Sequence, residues 1–161
     1  MESSYFYQRQ VPEVGELVMS RIDVIDDIGV TCRLLEYNNF EAFLPLTEVS
    51  KKRLRSLRKV INVGNVKVLQ VLRSSEQYVY LSKKHVDHKM IDEGTDKYEK
   101  GKHLVSIFRQ LAEVSHRPYE KLCEDVLWPL YSRHEEGESH PYQVLRRFAY
   151  EGGRFQKSRK S

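Results

Sequence analysis

The chain has 161 residues, of which 40% are hydrophobic and 31% are charged, and its formal net charge is +4. This length and hydrophobic content suffice for one ordinary domain or two small ones, and no apolar run has the length of a signal peptide or a membrane span. The two cysteines, Cys32 and Cys123, fall in segments of different character, so reduced thiols in the cytoplasm are expected rather than a disulfide framework or a thiolate metal site.

Five short segments in the first eighty residues have the composition of β-strands. They are rich in Val, Ile, Leu and Tyr, and polar turn signals such as Asn38-Asn39 separate them. In chain order they read ELVMSRIDVI, VTCRLLEY, FEAFL, VKVLQVL and YVYLS. A basic segment at 47–61, with apolar residues at helical spacing, lies between the third and the fourth. This order predicts a five-stranded OB-fold barrel over residues 1–86.

The apolar spacing after the last strand is that of helices. Two amphipathic patterns and a third shorter one follow each other, and Pro129 is expected to kink or break the second. A weaker and mostly polar helical candidate spans residues 87–100. We predict a small all-α helical domain over residues 87–151 and a basic disordered tail at 152–161. The three amphipathic patterns cover Leu104–Val114, Leu122–Leu130 and Tyr142–Ala149.

Positive charge is concentrated at two places in the chain. Residues 51–59 contribute +6 and residues 154–161 contribute +4 to the net charge of +4, so the rest of the chain carries −6. Basic patches on an acidic body are typical of a contact with nucleic acid or phosphate.

Three interpretations of the basic segment fit its residues. As a plain surface helix it would have Ser50 as its N-cap, but six cations without one acid repel each other. As a nucleic-acid patch, its cations would neutralise phosphates. As a phosphoacceptor site, it would gain about −1.5 to −2 charges on Ser50 or Ser56. Arg53 and Arg55 stand three and one residues before Ser56, a composition that favours Ser56 as the acceptor of a basophilic kinase. The spacing itself does not choose between the two serines.

Three aromatic residues near the second and third strands have two possible roles. Tyr37, Phe40 and Phe43 lie where the face of an OB-fold barrel would stack the bases of single-stranded RNA. Alternate strand positions must also fill the barrel, so core packing is the competing interpretation for Tyr37 and Phe43.

No catalytic motif is found in the sequence. It contains no G-x-S-x-G, no phosphate loop and no H-E-x-x-H. His85 and His88 could share a helical face, but they lack a Cys or carboxylate partner at ligand spacing, which favours a polar surface over a metal site. We therefore expect no enzymatic activity, no cofactor and no metal.

Two stretches of the chain carry a family resemblance. LLEYNNFEAFLPLTEVSKKRLRSLRK, followed by YVYLSKKHV, is similar to the alpha subunit of eukaryotic translation initiation factor two. The similarity runs from about Tyr5 through Val86 and continues more weakly at residues 106–109 and 128–130. The family's fold is an S1-type OB-fold barrel followed by a helical domain, which agrees with the two predicted halves of the chain.

The resemblance implies a function in protein synthesis. The family subunit is not catalytic and, with the beta and gamma subunits, brings initiator methionyl-tRNA to the small ribosomal subunit. Its regulatory phosphoserine falls on Ser50 rather than on Ser56, and stress-activated protein kinases modify it. The phosphorylated factor binds its guanine-nucleotide exchange factor unproductively, which slows initiation.

The basic residues after Ser50 take roles from the same resemblance. Arg53 matches a position near mRNA just upstream of the start codon. The other cations would supply a positive field for the exchange factor or for RNA, and they are Lys51, Lys52, Arg55 and Arg58.

This sequence also departs from the family. Members usually read Lys-Gly-Tyr-Ile-Asp where the kinases identify their substrate, whereas the segment at 76–80 reads Glu-Gln-Tyr-Val-Tyr. The kinase-recognition candidates are therefore Tyr78, Val79 and Tyr80, in altered surroundings. The family also continues into an α/β domain that docks on the gamma subunit, and this chain ends in its basic tail near that junction.

Two other functions are also compatible with the sequence. The chain could be a pseudosubstrate inhibitor of the initiation-factor kinases, but the intact Ser50 and the helical half argue against this function. It could also be a generic S1-type RNA-binding module. The usual aromatic-Gly-Ala-Phe turn of such modules reads Ile-Gly-Val-Thr at residues 28–31, which predicts weak stacking of arbitrary bases.

Overall fold

The computed structural model describes residues 5–50 and 60–148. In these residues no helix has the length and apolar character needed to cross a membrane. Contacts divide the chain into two compact units, the first ending at Glu99 and the second beginning at Lys100. The predicted domain limits after residues 86 and 151 stay a prediction, and the tail at 152–161 lies outside the described residues.

The first unit contains a closed barrel of five strands in the order β1-β2-β3-β5-β4. Neighbouring strands are antiparallel except for β3 and β5, which are parallel. The five-stranded OB-type barrel predicted from the sequence is thereby confirmed, with strand ends close to the predicted ones. The strands are β1 Leu17–Ile25, β2 Gly29–Leu34, β3 Phe40–Pro45, β4 Val66–Ser74 and β5 Val79–Ser82.

Alternation along the strands fills the barrel. In β2 the side chains of Val30, Cys32 and Leu34 are fully buried, while Thr31 and Arg33 between them are partly exposed. This period of two places one face of each strand inside the barrel, which is why short β-branched segments fold in this way.

The predicted turns between strands are formed by residues that tolerate unusual backbone angles. Asn38 and Asn39 have φ values of 55° and 58°, the left-handed region in which Asn is favoured among non-glycine residues. Gly29, at the start of β2, is required for another reason. A Cβ atom on it would lie 2.4 Å from Cζ of Phe43 and 2.6 Å from the carbonyl oxygen of Leu44.

Two acidic side chains fix the segment before β1, and the helix after the barrel, to the barrel wall. Glu36 is fully buried and accepts hydrogen bonds from the Tyr7 hydroxyl and the Met19 backbone N–H. The ammonium group of Lys97 lies 3.3 Å from the Glu36 carboxylate and 3.6 Å from that of Glu16. Because a buried carboxylate is costly without partners, this network stabilises one arrangement of the three elements.

Helix α1 runs without a break over His88–Ser115. The polar candidate at 87–100 and the first amphipathic pattern are therefore one helix rather than two. Its start is capped by Asp87, whose carboxylate accepts a hydrogen bond of 2.9 Å from the Met90 N–H. Gly94 lets the helix approach β4, since a Cβ atom there would lie 2.6 Å from Cγ1 of Val68.

The second unit is helical, as predicted. Helix α2 covers Tyr119–Leu122, a π-helical turn covers Cys123–Leu127, and α3 covers Trp128–Glu135. Residues 141–148 are also helical. Pro129 lies in the first turn of α3, directly after the π-helical turn, where its missing N–H costs little. The predicted kink or break at Pro129 thus takes the form of a change of helix type.

Candidate functional site: the turn before Ser50 and strand β5

Ser50 follows β3 after one tight turn. A 3-10 turn at Leu46–Glu48 leaves β3, and Val49 after it is almost completely buried. The Val49 N–H donates to the Leu46 carbonyl at 3.2 Å, which closes this turn. Ser50 is therefore the residue at which the chain leaves the barrel core, and it is partly exposed.

Glu48 anchors this turn to the end of β5. Its backbone carbonyl accepts hydrogen bonds of 2.9 Å from the N–H groups of Lys83 and Lys84. Its carboxylate accepts a 2.9 Å hydrogen bond from the hydroxyl of Ser82, which is fully buried. The Lys84 ammonium group lies 3.5 Å from the same carboxylate. The position two residues before Ser50 is thus held by main-chain and side-chain contacts together.

Three aromatic side chains lie at the other end of β5. Phe43 of β3 pairs with Tyr80 of β5, and their ring centroids are 6.1 Å apart. Tyr78 adds a third ring, 5.0 Å from that of Tyr80. Tyr78 and Tyr80 are 44% and 37% exposed, so the group presents aromatic surface to solvent. We call Phe43, Tyr78 and Tyr80 together the aromatic cluster.

Only two of the three predicted kinase-recognition side chains lie on the surface. Val79 is 1% exposed and points into the barrel, so its side chain is not available to a partner. Tyr78 and Tyr80 remain as the surface side chains of the three candidates. Ser75 fixes the turn before them, since its hydroxyl oxygen accepts a 3.1 Å hydrogen bond from the Tyr78 N–H.

One short strand connects the turn before Ser50 with the aromatic cluster. β5 has four residues, with Tyr80 in the cluster and Ser82 bonded to Glu48. A strand rises by about 3.3 Å per residue, so the two anchor points are separated by only roughly 7 Å along β5. The barrel therefore fixes the distance between Glu48, two residues before Ser50, and the exposed tyrosines.

The proposed stacking role of Tyr37 is wrong. Its side chain is fully buried, and its hydroxyl donates to the Glu16 carboxylate. Burial, followed by the charge of Glu16, raises the pKa of this hydroxyl. Phe40 and Phe43 are partly exposed, although the Phe43 ring is occupied by its contacts with Tyr80 and Gly29. Tyr37 is thus a core residue, whereas Phe43 packs against Tyr80.

The basic residues predicted to contact RNA or a partner, and the second serine, lie outside the described residues. These are Lys51, Lys52, Arg53, Arg55, Ser56 and Arg58. Of the two histidines, the ring of His85 lies 3.9 Å from Glu48, and its side chain is about half exposed. Residues 5–50 and 60–148 contain no group of three or more His, Cys, Asp or Glu side chains placed to hold a metal ion.

Sequence reasoning missed Glu48 and its partners. Ser82 is 34 residues away from Glu48, and no spacing rule links a turn after one strand to the end of another. The sequence contains one signal for this contact. Glu48 is an acidic residue that stands just before the run of cations at 51–59, and such an isolated carboxylate is expected to have a specific partner.

Comparisons with known proteins support the resemblance. The chain is 38% identical over 131 residues to eukaryotic translation initiation factor 2 subunit 1 of Plasmodium falciparum, which covers 80% of this chain and 40% of that protein. It is 38% identical over 130 residues to the subunit alpha homolog of Arabidopsis thaliana, covering 80% of this chain and 38% of that protein. The chain thus spans about two fifths of the length of the curated relatives it matches.

Solved structures agree with the fold. The alpha subunit in an a/eIF2alpha–aDim2p–rRNA complex from Pyrococcus horikoshii has a TM-score of 0.74 and 25% identity, covering 88% of this chain and 83% of that one. The intact alpha subunit of aIF2 from Pyrococcus abyssi has a TM-score of 0.74 and 24% identity, covering 86% and 52%. No protein-family model matches the chain.

Proposed function

Since the chain resembles the alpha subunit of eukaryotic translation initiation factor two over four fifths of its length, we propose that it is a non-catalytic subunit of this cytoplasmic factor. In this function it acts with beta and gamma subunits to bring initiator methionyl-tRNA to the small ribosomal subunit. The coarse part of the proposal, a subunit of a translation initiation factor, is supported by the names of its relatives.

The finer part of the proposal is that phosphorylation of Ser50 regulates the factor. One observation carries it, namely that Ser50 leaves the barrel two residues after Glu48, which is anchored to β5. A kinase that grips the exposed Tyr78 and Tyr80 therefore finds the serine at a fixed separation along the barrel. Specificity of this kind does not depend on the sequence around the serine alone.

Charge explains how such a phosphate would act. Residues 51–59 carry +6 by sequence, and a phosphoserine next to them adds about −1.5 to −2. A uniformly cationic segment suits the phosphates of RNA, whereas a segment of mixed charge suits a different protein surface. In the proposal, Lys51, Lys52, Arg53, Arg55 and Arg58 contact mRNA or the guanine-nucleotide exchange factor, and the phosphate changes which partner is favoured.

Mapping of the phosphate tests the proposal. The full chain is incubated with a stress-activated initiation-factor kinase and ATP, and the product is analysed by mass spectrometry. We expect one phosphate on Ser50, its loss in Ser50→Ala, and unchanged labelling in the matched variant Ser56→Ala. Labelling that persists in Ser50→Ala would contradict the assignment, and inhibition of the kinase without incorporation would favour the pseudosubstrate function.

A further inference from the structure

A cavity of about 450 Å³ lies between β1, β4 and the beginning of α1. Its lining residues, among those that the structure describes, belong to the compact unit that ends at Glu99. Its volume falls in the range of about 300–1,000 Å³ that is usual for sites of small organic ligands. The described lining includes no residue of the aromatic cluster, and it shares only Lys83 with the contacts that anchor Glu48.

Two walls of this cavity are apolar and held in place. Met19 of β1 and Val68 of β4 are direct partners in the sheet and form the floor. Ile91 of α1 forms part of the opposite wall and is 41% exposed. The ring of Tyr98, about two helical turns after Ile91 on α1, is stacked on Phe6 with centroids 5.8 Å apart. A ligand with a flat apolar body would therefore meet preformed surface.

Two lysines line the same cavity. Lys67 belongs to β4, and Lys83 follows β5. Burial lowers the pKa of Lys83, and the positive charge of Lys67 lowers it further, so the two ammonium groups repel each other. Lys84 and Lys97 each have a carboxylate partner within 3.5 Å. In the part of the chain that the structure describes, Lys67 and Lys83 have none, so positive charge at this cavity is not neutralised by an ion pair.

Glu99 also lines the cavity and limits the charge that a ligand should carry. Lys67, Lys83 and Glu99 together contribute +1 to the lining. A ligand with one phosphate matches this charge better than a triphosphate does, because each further negative charge gains no new cation and meets the Glu99 carboxylate.

We propose that this cavity binds an organic phosphate monoester with a flat apolar body, the class to which nucleoside monophosphates belong. The phosphate lies between the ammonium groups of Lys67 and Lys83, and the body packs against Met19, Val68 and Tyr98. The same chemistry is offered by a free nucleotide and by the 5′-phosphorylated end of an RNA strand. The site does not depend on the function proposed for Ser50.

Titration of the full, ¹⁵N-labelled chain with adenosine 5′-monophosphate tests this site by NMR. We expect saturable shifts of the amide signals of Met19, Lys67, Lys83 and Ile91. Adenosine and inorganic phosphate, which each lack half of the ligand, should bind at least about tenfold more weakly, since a charge-assisted contact or the apolar contact is lost. A 5′-phosphorylated RNA tetranucleotide and its 5′-hydroxyl counterpart distinguish the two sources of the ligand.

Variants separate this site from general attraction to a basic protein. Lys67→Met and Lys83→Met should each weaken adenosine 5′-monophosphate binding by about tenfold or more. Lys89→Met, which removes an exposed lysine of α1 outside the cavity, should leave it unchanged. Thr95→Tyr places an aromatic ring at the cavity while both lysines remain, and it should weaken binding to a similar extent. Absence of saturable binding, or an affinity as high as that of the wild type in either lysine variant or in Thr95→Tyr, would overturn the proposal.

Discussion

Ser82 donates its hydroxyl to the Glu48 carboxylate at 2.9 Å, although 34 residues separate them in the sequence. This contact joins the end of β5 to the turn that precedes Ser50. Two main-chain hydrogen bonds from Lys83 and Lys84 to the Glu48 carbonyl lie beside it. The turn that precedes Ser50, the candidate phosphoacceptor, is thus fixed to the barrel by main-chain and side-chain hydrogen bonds.

Replacement of Glu48 should measure the side-chain part of this anchor. Glu48→Ala leaves the buried Ser82 hydroxyl without its acceptor, so the free energy of unfolding should fall by about 1–3 kcal/mol. Glu48→Gln should recover most of this loss because its amide oxygen still accepts from Ser82. Urea unfolding followed by circular dichroism gives the values. Glu41→Ala is the control, since the Glu41 side chain is 66% exposed. If Glu41→Ala lowers the free energy of unfolding as much as Glu48→Ala does, the anchor is refuted.

Removal of Lys97 should destabilise the first unit more strongly. The Glu36 carboxylate that it neutralises is fully buried, and breaking a buried ion pair costs about 3 kcal/mol or more. We expect Lys97→Met to lower the free energy of unfolding by that amount. Lys89→Met on the same helix should change it by less than about 0.5 kcal/mol, because Lys89 is exposed. Equal stability of the two variants in urea would contradict the network.

Strand positions and turns were predictable from the sequence, but the continuity of α1 was not. Alternation at Val30, Cys32 and Leu34 identifies β2 directly, because its period matches the pleat. The first part of α1 is polar and has no apolar stripe of its own. It is stabilised by packing of Gly94 on Val68 and by Lys97 in the carboxylate network, contacts that sequence periodicity does not contain.

The site was predictable only in part, for a similar physical reason. Ser50 and Tyr78 are candidates that the family resemblance gives, and the motifs that carry this resemblance are contiguous in the sequence. The burial of Tyr37 depends on Glu16, which is 21 residues away, and the anchor of Glu48 depends on Ser82. Contacts between strands that are distant in sequence decide which of several plausible side chains are exposed.

The Cys32 thiol should make stability depend on alkaline pH. Burial, assisted by the charge of Asp23, raises the pKa of this thiol from 9.0 to about 12. Between these two pH values only the unfolded chain loses the thiol proton. The contribution of this thiol to the free energy of unfolding is therefore fully present below pH 9.0 and is lost as the pH rises toward 12. The slope from this one group is about 1.4 kcal/mol per pH unit.

Comparison of the wild type with Cys32→Ala isolates this thiol. Urea unfolding at about pH 8.5 and about pH 10.5 should show a smaller loss of stability in Cys32→Ala than in the wild type. The raised pKa of Tyr37 contributes in both proteins and cancels in the difference. Identical pH dependence of the two proteins would show that Cys32 titrates alike in the folded and unfolded chain.

The aromatic cluster should determine how efficiently a kinase finds Ser50. Tyr78→Ala and Tyr80→Ala remove exposed rings that are suited to be contact hot spots, so kcat/KM for phosphorylation of the protein should fall by about tenfold. A synthetic peptide covering residues 45–60 lacks both tyrosines, so its kcat/KM should be lower than that of the whole chain. Val24→Ala, at another exposed position of the barrel, is the matched control. Unchanged kcat/KM in both tyrosine variants would exclude recognition through β5.

Affinity for the guanine-nucleotide exchange factor tests most directly whether Ser50 is a switch. The chain phosphorylated on Ser50 and the unphosphorylated chain are compared by isothermal titration calorimetry at one fixed salt concentration, with Ser50→Ala treated with kinase as the reference. We predict that the phosphorylated chain binds at least about tenfold more tightly, because the phosphate adds charge-assisted contacts, and that Ser50→Ala behaves as the unphosphorylated chain. Equal affinity of the phosphorylated and unphosphorylated chains would contradict the switch.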